Sequence, residues 1–326
     1  MTDAPLAIST RLYNIRQADL RPVRGGHVSQ VYSFNKAGQE YILRLTPTGE
    51  DLDLPGQRAS LAWMAFLAGE GVCVSRPIPS INNNLIETIH EEEGDWLAVV
   101  QTKAAGVLSE ELPLREWDAN LFAAVGRAVG GMHAASRRYH PSVEASRPDW
   151  DRCSNLFNWK DFGEPWLEAK AVQLRQMVQS LPKTRDNYGM IHADLHFGNF
   201  YVDVPAKAVT IIDFDDICMG WYIMDLAILL FDVLVLYEGP DRQAYAFEFL
   251  QPLLNGYRQV NGLDPFMLEQ IPLFAKLLEI NIYAEIAAVS SSGLDWWGRK
   301  FMTGRRERIE NDIPYLALDL KNLDAG

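Results

Sequence analysis

Two neighbouring segments say most about this fold: Ile191-His192-Ala193-Asp194-Leu195-His196-Phe197-Gly198-Asn199 and, after a short gap, Ile211-Ile212-Asp213-Phe214-Asp215. Apolar residues typical of strands stand beside polar residues whose side chains carry oxygen. Asn199 follows Asp194 by five positions, and Asp213 follows Asn199 by fourteen. This order of Asp, Asn and Asp is the most informative pattern in the chain.

The gap between the two segments predicts a β-hairpin. Phe200 to Asp203 is aromatic and β-branched, as strands are. Val204-Pro205-Ala206-Lys207 predicts a turn, and Ala208 to Ile212 predicts the returning strand. Since a hairpin brings its two flanks together, Asn199 and Asp213 are expected to lie close, with Asp194 in the loop that leads in.

These three side chains suit magnesium and phosphate chemistry. Mg²⁺ prefers oxygen ligands, commonly one or two carboxylates completed by substrate phosphates and water. We therefore expect Asp213 and Asn199 to hold the metal and Asp194 to orient an acceptor hydroxyl and take its proton. Phosphoryl transfer depends mainly on positioning and charge neutralisation, so the base need not be strong.

Chance is a poor explanation of the pattern. His-x-Asp-x-x-x-x-Asn should occur at random in on the order of 1 in 100 chains of this length. The alternative is turn chemistry, because Asp and Asn commonly cap turns and helices. Ile212-Asp213-Phe214 at the end of the next predicted strand favours the catalytic interpretation.

Together the segments resemble the catalytic and metal loops of the aminoglycoside phosphotransferase and choline kinase-like family, relatives of the protein kinases. Ile-Asp-Phe-Asp-Asp at 212–216, with Gly220 and Asp225-Leu226, most resembles the branch of the stress-response Ser/Thr kinase and homoserine kinase-like proteins. The resemblance extends from about Leu20 to Tyr315 and is strongest at the catalytic loop.

The resemblance implies an α+β, protein kinase-like fold of two lobes. A small β-rich nucleotide-binding lobe is expected at residues 1–100 and a hinge at 101–106. A larger helical lobe with the catalytic and metal loops is expected at 107–326. ATP and Mg²⁺ are the cofactors that the family uses.

Composition narrows the partners. The chain of 326 residues has 30 basic and 43 acidic residues, a formal charge of −13, which argues against nucleic acid. An acidic surface would attract a cationic small molecule, although it also serves solubility. Three scattered cysteines fit neither a disulfide framework nor metal-ligand spacing, which suits the cytoplasm.

No membrane partner is expected. The N-terminus lacks the basic start and apolar core of a signal peptide. Trp221 to Tyr237 is very apolar, but Asp225 and Asp232 interrupt it. Because carboxylates in lipid are costly, this segment predicts a buried core helix.

The N-terminal lobe is expected to bind the nucleotide. A glycine-rich loop, Gly25-Gly26-His27-Val28-Ser29, precedes the strand-like Val31 to Phe34, and Gly38 marks a turn before the strand Tyr41 to Leu45. Glycines let backbone amides approach phosphate oxygens. An ordinary hairpin turn is the alternative, and the catalytic loop favours a loop covering the nucleotide.

Arg44 stands where the family usually has a lysine that contacts phosphates. Arginine keeps the charge and adds a planar fork of donors. The helix expected at Ser60 to Leu67 normally carries a glutamate that pairs with this cation, but Ser60 occupies that position. Either another acid supplies the partner, or Arg44 needs none.

The strand Trp96 to Gln101 runs into Thr102-Lys103-Ala104-Ala105-Gly106, the expected hinge. The resemblance implies that adenine binds the backbone of Gln101, Thr102 and Lys103. From Asp118 onward, apolar residues recur at helical spacing up to Met132, and His133 at the end of this stripe is interpreted as a core or capping residue.

Other residues of the C-terminal lobe allow several interpretations. His192 resembles a histidine that braces the catalytic-loop backbone, His196 could do the same or touch phosphate or the acceptor, and Asp225 is interpreted as structural. Asp215 and Asp216 are candidates for a second metal, for capping or for solvation. Two sets of residues could either pack or bind the acceptor: the aromatics Trp150, Phe157, Trp159, Phe162 and Trp166, and Glu279, Asn281, Glu285, Asp295, Trp296 and Trp297.

The favoured hypothesis is an ATP-dependent phosphotransferase that acts on a hydroxyl of a small molecule such as an amino alcohol, a hydroxy amino acid or an aminoglycoside. A protein Ser/Thr kinase of the stress-response type is the alternative within the enzymes. A nucleotide-binding regulator with little catalysis is the alternative outside them, because Ser60 replaces the expected acid.

Overall fold

The computed structural model describes residues 4–23, 29–49, 53–92, 94–142, 145–153, 163–288, 293–318 and 320. The chain forms two compact units. The first unit contains residues 1–105, 140–146 and 210–215, and the second contains residues 106–139, 147–209 and 216–326. The metal loop predicted around Asp213 therefore belongs to the N-terminal unit, although it lies two thirds of the way along the chain.

The first unit is built on an antiparallel sheet. Helix α1 (Ala4–Leu12) precedes it, and α2 (Leu54–Gly69) interrupts it. The strands are β1 (Arg21–Val23), β2 (Gln30–Lys36), β3 (Gln39–Pro47), β4 (Pro77–Ile78), β5 (Glu87–Ile89) and β6 (Trp96–Thr102). Their order is β1-β2-β3-β6-β4, with β5 also paired to β6. The strands, the turn at Gly38 and the helix expected in this part of the chain are all confirmed.

The strands of the sheet form the core of this unit. In β3, Leu43 and Leu45 are buried and the residue between them is less so, the period-two pattern of a strand with one covered face. In the adjacent β6, all residues from Leu97 to Val100 are buried, so this strand is covered on both faces. Tyr13, which follows α1, donates its hydroxyl to the Ala98 carbonyl at 2.9 Å and so ties the helical N-terminus to the sheet.

The second unit is mainly helical. Its helices are α3 (Ala119–Ser136), α4 (Pro165–Gln179), α5 (Tyr222–Leu236), α6 (Arg242–Arg258), α7 (Pro265–Leu268), α8 (Ile271–Ala288), α9 (Trp296–Met302) and α10 (Arg305–Glu310). The short strands that follow β6 in the chain are β7 (Val107–Leu108), β8 (Tyr188–Ile191), β9 (Phe200–Asp203), β10 (Ala208–Ile211) and β11 (Cys218–Trp221). They form sheets of order β10-β9-β7 and β11-β8, so the predicted hairpin is confirmed.

Helix α5 lies in the core of the second unit. All but its last residue are buried, including Asp225 and Asp232. Within the described part of the chain, no helix is long and apolar enough to cross a membrane. The prediction of a buried core helix is therefore confirmed.

Helices α3 and α6 pack closely because glycines lie where they cross. A Cβ on Gly126 would stand 1.9 Å from the Leu253 carbonyl oxygen, and one on Gly256 would stand 1.9 Å from that of Ala123. Neither carbonyl can move aside without displacing its helix. A Cβ on Gly131, also in α3, would meet no atom within 4 Å.

We expect Gly126→Ala to destabilise the fold by about 3 kcal/mol, the upper range for overpacking a well-filled core. Gly131→Ala is the matched control, and it should be neutral or stabilising by about 0.5–1 kcal/mol because alanine favours a helix over glycine. Urea unfolding of both variants measures the difference. Equal stabilities would contradict the close crossing of α3 and α6.

Candidate active site

The loop at residues 192–199 rests on a buried carboxylate. Asp225, in the first turn of α5, accepts the backbone N–H of His192 at 3.0 Å and that of Ala193 at 2.9 Å. His133 contacts the same carboxylate through Nε2 at 2.9 Å and Tyr257 through Nδ1 at 3.0 Å. The structural role of Asp225 and the core placement of His133 are therefore confirmed.

Backbone strain is located directly before Asp194. Ala193 has φ of 69°, in the left-handed region that residues with a Cβ seldom adopt. Such a conformation costs of order 1–3 kcal/mol and persists only where the surroundings impose it. The hydrogen bond from the Ala193 N–H to Asp225 is one such constraint, so α5 sets the direction in which Asp194 leaves the loop.

Asn199 holds Asp194 from the other end of the loop. Its Nδ2 donates to the Asp194 carbonyl at 2.7 Å and to Asp194 Oδ2 at 2.9 Å. Asn199 is buried, whereas the Asp194 side chain is 43% exposed. Because Nδ2 makes both bonds, Oδ1 is the amide atom left for a metal ion. The imidazole of His192 accepts the Asp194 N–H at 3.4 Å, which confirms that His192 braces the backbone.

A second buried carboxylate anchors the far end of the loop. Asp232 accepts the Phe197 N–H at 2.8 Å and the Trp297 Nε1–H at 3.1 Å, and burial raises its pKa. Asp225 and Asp232 stand seven residues apart, two turns on one face of α5. Sequence reasoning missed this role of Asp232. The signal was the i, i+7 spacing of two acids in an otherwise apolar helix.

His196 belongs to the same arrangement. Its Nε2 lies 3.6 Å from Asp194 Oδ2, and its Nδ1 accepts the Gly198 N–H at 2.9 Å. Burial opposes protonation, but Asp194, Asp232 and Glu110 outweigh it and raise the pKa of His196. His196 therefore braces the loop and also faces the cavity described next.

A cavity of about 520 Å³ opens beside Asp194, entirely within the second unit. Its carboxylates are Glu110, Asp194, Asp232, Glu285 and Asp295, and its apolar wall comes from α5, α8 and Trp297. Asn281 also lines it, with a buried Oδ1 that accepts no hydrogen bond from the described residues. Burial raises the pKa of Glu285. No lysine or arginine is found among the described residues of the lining.

Six residues near the C-terminal end, from Glu279 to Trp297, were candidates for binding the acceptor, and two of them do not line this cavity. Glu279 is buried in ion pairs with Arg305 at 2.6 Å and Lys276 at 2.7 Å, which makes it a structural residue. Trp296 lies on the surface with half of its area exposed. Of the six candidates, Asn281, Glu285, Asp295 and Trp297 line the cavity. Among the aromatic candidates, Trp150 is buried and Trp166 lies beside Arg306, while Phe157, Trp159 and Phe162 are outside the described residues.

The first unit holds Asp213 and Arg44. Asp213 has φ of 60°, again left-handed. Arg44 of β3 makes a two-bonded ion pair with Asp215, at 3.0 and 3.3 Å. Burial opposes a charge on Arg44, but Asp215 and then Asp213 raise the pKa of its guanidinium. The acid that pairs with Arg44 is therefore Asp215 and not a residue of helix α2. Ser60, at the position expected for the acid, donates its hydroxyl to the Gly56 carbonyl of its own helix.

The other predicted nucleotide contacts are only partly described. Gly25, Gly26, His27 and Val28 lie outside the described residues, and the Ser29 hydroxyl bonds that of Thr46 at 2.8 Å. At the end of β6 the N–H of Thr102 donates to Arg76, and that of Lys103 donates to Glu40. Gln101 pairs with both neighbouring strands. The N–H groups of Thr102 and Lys103 are therefore already bonded. A nucleotide base that binds this segment would use its other backbone groups.

The predicted site residues thus form two sets, each organised within its own unit. Asp194 and Asn199 are joined in the second unit, and Asp213 and Arg44 lie near each other in the first. All the predicted metal ligands are hard oxygen donors, which suit Mg²⁺ or Ca²⁺. The magnesium pair of Asn199 and Asp213 is divided between the units and stays a prediction.

Comparison with known proteins agrees with this chemistry. The phosphotransferase enzyme family matches residues 19–263. Amicoumacin kinase of Bacillus subtilis (strain 168) is 34% identical over 305 residues, which covers 90% of this chain and 88% of that protein. A homoserine kinase of Parvibaculum lavamentivorans is 26% identical over 201 residues, 58% of this chain and 59% of that protein.

Solved structures show the same fold. Amicoumacin kinase hAmiN in complex with AMP-PNP, Ca²⁺ and Ami has a TM-score of 0.84 at 27% identity, over 98% of this chain and 96% of the other. The microcompartment-associated aminopropanol kinase has a TM-score of 0.71 at 19% identity, over 95% and 98%. The predicted kinase-like α+β fold is confirmed.

The family match and the similar proteins identify the chain as a phosphotransferase that acts on hydroxyl groups. The chain belongs to the phosphotransferase enzyme family that includes the aminoglycoside phosphotransferases. Within that family it is a small-molecule kinase.

Proposed function

We propose that this protein transfers the γ-phosphate of ATP, with Mg²⁺, to a hydroxyl of a small molecule that also carries an amino group. One observation supports the acceptor class above all others. Asp194 faces a cavity with four further carboxylates and no lysine or arginine among its described lining residues. A protonated amine is the ligand whose charge and donors such a wall complements.

Each site residue is assigned one role in the transfer. Asp194 accepts the proton of the acceptor hydroxyl while the acceptor oxygen bonds to the γ-phosphorus and the bond from that phosphorus to the β–γ bridging oxygen breaks. Asn199 Oδ1 and Asp213 would hold Mg²⁺, which neutralises phosphate charge when bound. Arg44 is assigned to the phosphates, residues 25–29 to covering them, and the segment 101–103 to adenine. Product ADP leaves with the electron pair of the broken bond.

The volume of the cavity supports a small acceptor. About 520 Å³ falls within the range of sites for small molecules. The stress-response protein kinase alternative would require a surface for a polypeptide beside Asp194, and a cavity of this size favours a small acceptor over it. The alternative of a nucleotide-binding regulator was suggested by Ser60, which stands where an acid is expected to pair with Arg44. Because Asp215 pairs with Arg44, Ser60 no longer argues for that alternative.

A screen tests the proposal. ATP consumption would be measured with amino alcohols, hydroxy amino acids and aminoglycosides, each beside an analogue in which hydrogen replaces the amino group. We expect turnover with at least one amine and much weaker turnover with its analogue. Equal use of an amine and its analogue would contradict the amine-binding role, and ATP binding without transfer to any acceptor would favour the regulator.

Glu285→Gln tests the acidic wall directly. Removing one carboxylate from a partly exposed site should raise the KM for the amine about threefold to fivefold, with kcat nearly unchanged, since ion pairs at such positions contribute up to about 1 kcal/mol. The KM for ATP should not change. Glu248→Gln, an exposed acid of α6 outside the cavity, controls for net charge. An unchanged KM for the amine would show that Glu285 does not contact it.

A further inference from the structure

The ion pair between Arg44 and Asp215 joins a strand of the sheet to the segment that carries Asp213. Both guanidinium nitrogens Nη1 and Nη2 are used, at 3.0 and 3.3 Å, and a forked pair of this kind fixes orientation as well as distance. The partners are 171 positions apart in sequence but lie in the same unit. Asp215 follows Asp213 by two residues.

Helix α2 offers no acid at the position where one is expected. Ser60 is buried, and its hydroxyl donates to the Gly56 carbonyl at 3.0 Å within the same helix. The Ser60 hydroxyl therefore donates its hydrogen to a backbone carbonyl of the same helix. It carries no negative charge that could pair with the guanidinium of Arg44. Among the described residues, Asp215 is the acid that bonds the guanidinium of Arg44.

Ile211, Phe214 and Asp215 each attach the segment 211–215 to other parts of the first unit. Ile211 bonds the backbone at 73–75, with its N–H donated to the Cys73 carbonyl at 3.1 Å and its carbonyl accepting the Ser75 N–H at 3.3 Å. Phe214 packs edge-on against Trp63 of α2, with ring centroids 5.4 Å apart. Asp215 makes the third attachment, to Arg44. Asp213 lies between the first attachment and the other two, in a strained left-handed conformation.

We propose that Asp215 takes over the task of the missing helix acid and is a positioning residue for nucleotide and metal at once. The ion pair with Asp215 orients the guanidinium of Arg44 toward the phosphates. The same ion pair also fixes the position of the segment that carries Asp213. This inference rests on the proposed function for the identity of the ligands. The geometry of the pair itself is independent of any acceptor.

The pair is well suited to a test, because it contributes little to the fold. The side chains of Arg44 and Asp215 are 28% and 46% exposed, and ion pairs in contact with water add little to protein stability. Asp215→Asn should therefore leave the melting temperature close to that of the wild type. Asp19→Asn, which breaks the exposed pair with Arg16 in the same unit, is the matched control.

The experiment measures binding of a non-hydrolysable ATP analogue by calorimetry at several Mg²⁺ concentrations. We expect Asp215→Asn to weaken analogue binding about tenfold and to raise the Mg²⁺ concentration needed for half-saturation, since a forked charged pair is lost. Asp215→Glu should restore much of both. Arg44→Gln should weaken binding at least as much, and the double variant should be no worse than Arg44→Gln, because the two residues act as a unit.

Three results would overturn the inference: wild-type binding by Asp215→Asn, full addition of the two losses in the double variant, or the same loss in Asp19→Asn. Failure of the proposed function has a different signature. Wild-type protein that binds the analogue with Mg²⁺, but phosphorylates no acceptor, would count against the proposed function and leave the role of Asp215 standing.

Discussion

Replacing Asp194 by alanine is expected to lower kcat by about 10²–10⁴-fold, the usual contribution of a positioned general base. The carboxylate is the only one in the 192–199 loop, and Asn199 orients it through two hydrogen bonds. The side chain is partly exposed to the cavity and carries little of the core packing. The fold should therefore survive, and ATP-analogue binding should be largely retained.

Asp194→Asn sharpens this experiment. It keeps the size of the side chain but cannot take a proton at neutral pH, so its kcat should be as low as that of the alanine variant. Asp203→Asn, at the end of β9 where the carboxylate accepts the Ala206 N–H, serves as the control and should retain activity. ADP release would be followed with the best acceptor from the screen. Unchanged turnover in either Asp194 variant would disprove the mechanism.

Asp225→Ala should have the largest effect on stability, a loss of about 3–5 kcal/mol. The substitution leaves the N–H groups of His192 and Ala193 buried without acceptors and removes the partner of His133 Nε2. Each unpaired buried group costs about 1–3 kcal/mol. Ala193 would also lose the bond that holds its left-handed backbone, so Asp194 would lose its direction.

Stability and catalysis should therefore fall together in Asp225→Ala, unlike in Asp194→Ala, where only catalysis falls. Asp118→Ala is the control, since it removes an exposed N-cap of α3 and should cost about 1 kcal/mol without affecting turnover. Urea unfolding and kcat would be measured for both. An Asp225→Ala protein of wild-type stability would contradict the role assigned to α5.

The contacts of Asp225 and Asp232 explain why the otherwise apolar helix α5 contains two buried acidic residues. Asp225 and Asp232 hold the two ends of one loop, and Asp232 further holds Trp297 at the cavity wall. Helix α5 therefore positions both the loop that carries Asp194 and one wall of the cavity. A buried charge is kept where its hydrogen bonds are satisfied, and both carboxylates meet that condition.

Local chemistry made part of this structure predictable. The hairpin from Phe200 to Ile211, the strands around Gly38 and the helix that begins after Asp118 follow from alternation, turn residues and capping, which act over a few positions. Asp194, Asn199 and Asp213 could be proposed as a set because one short hairpin separates them. The structural role of His192 follows from the family resemblance and that of His133 from its place at the end of an apolar stripe, and their contacts confirm both roles.

The remaining features depend on contacts between distant parts of the chain. The partner of Arg44 is 171 positions away, and that of His133 is 92. Glu279 and Glu285 differ in role because Arg305 pairs with the first, while the second lines the cavity. The elements, the candidate reacting residues and the class of chemistry could be inferred from the amino-acid order, because these depend on neighbours along the chain. That Asp215 pairs with Arg44 and that Asp232 anchors the loop became visible only in the folded chain, because burial and pairing exist only after distant segments have packed.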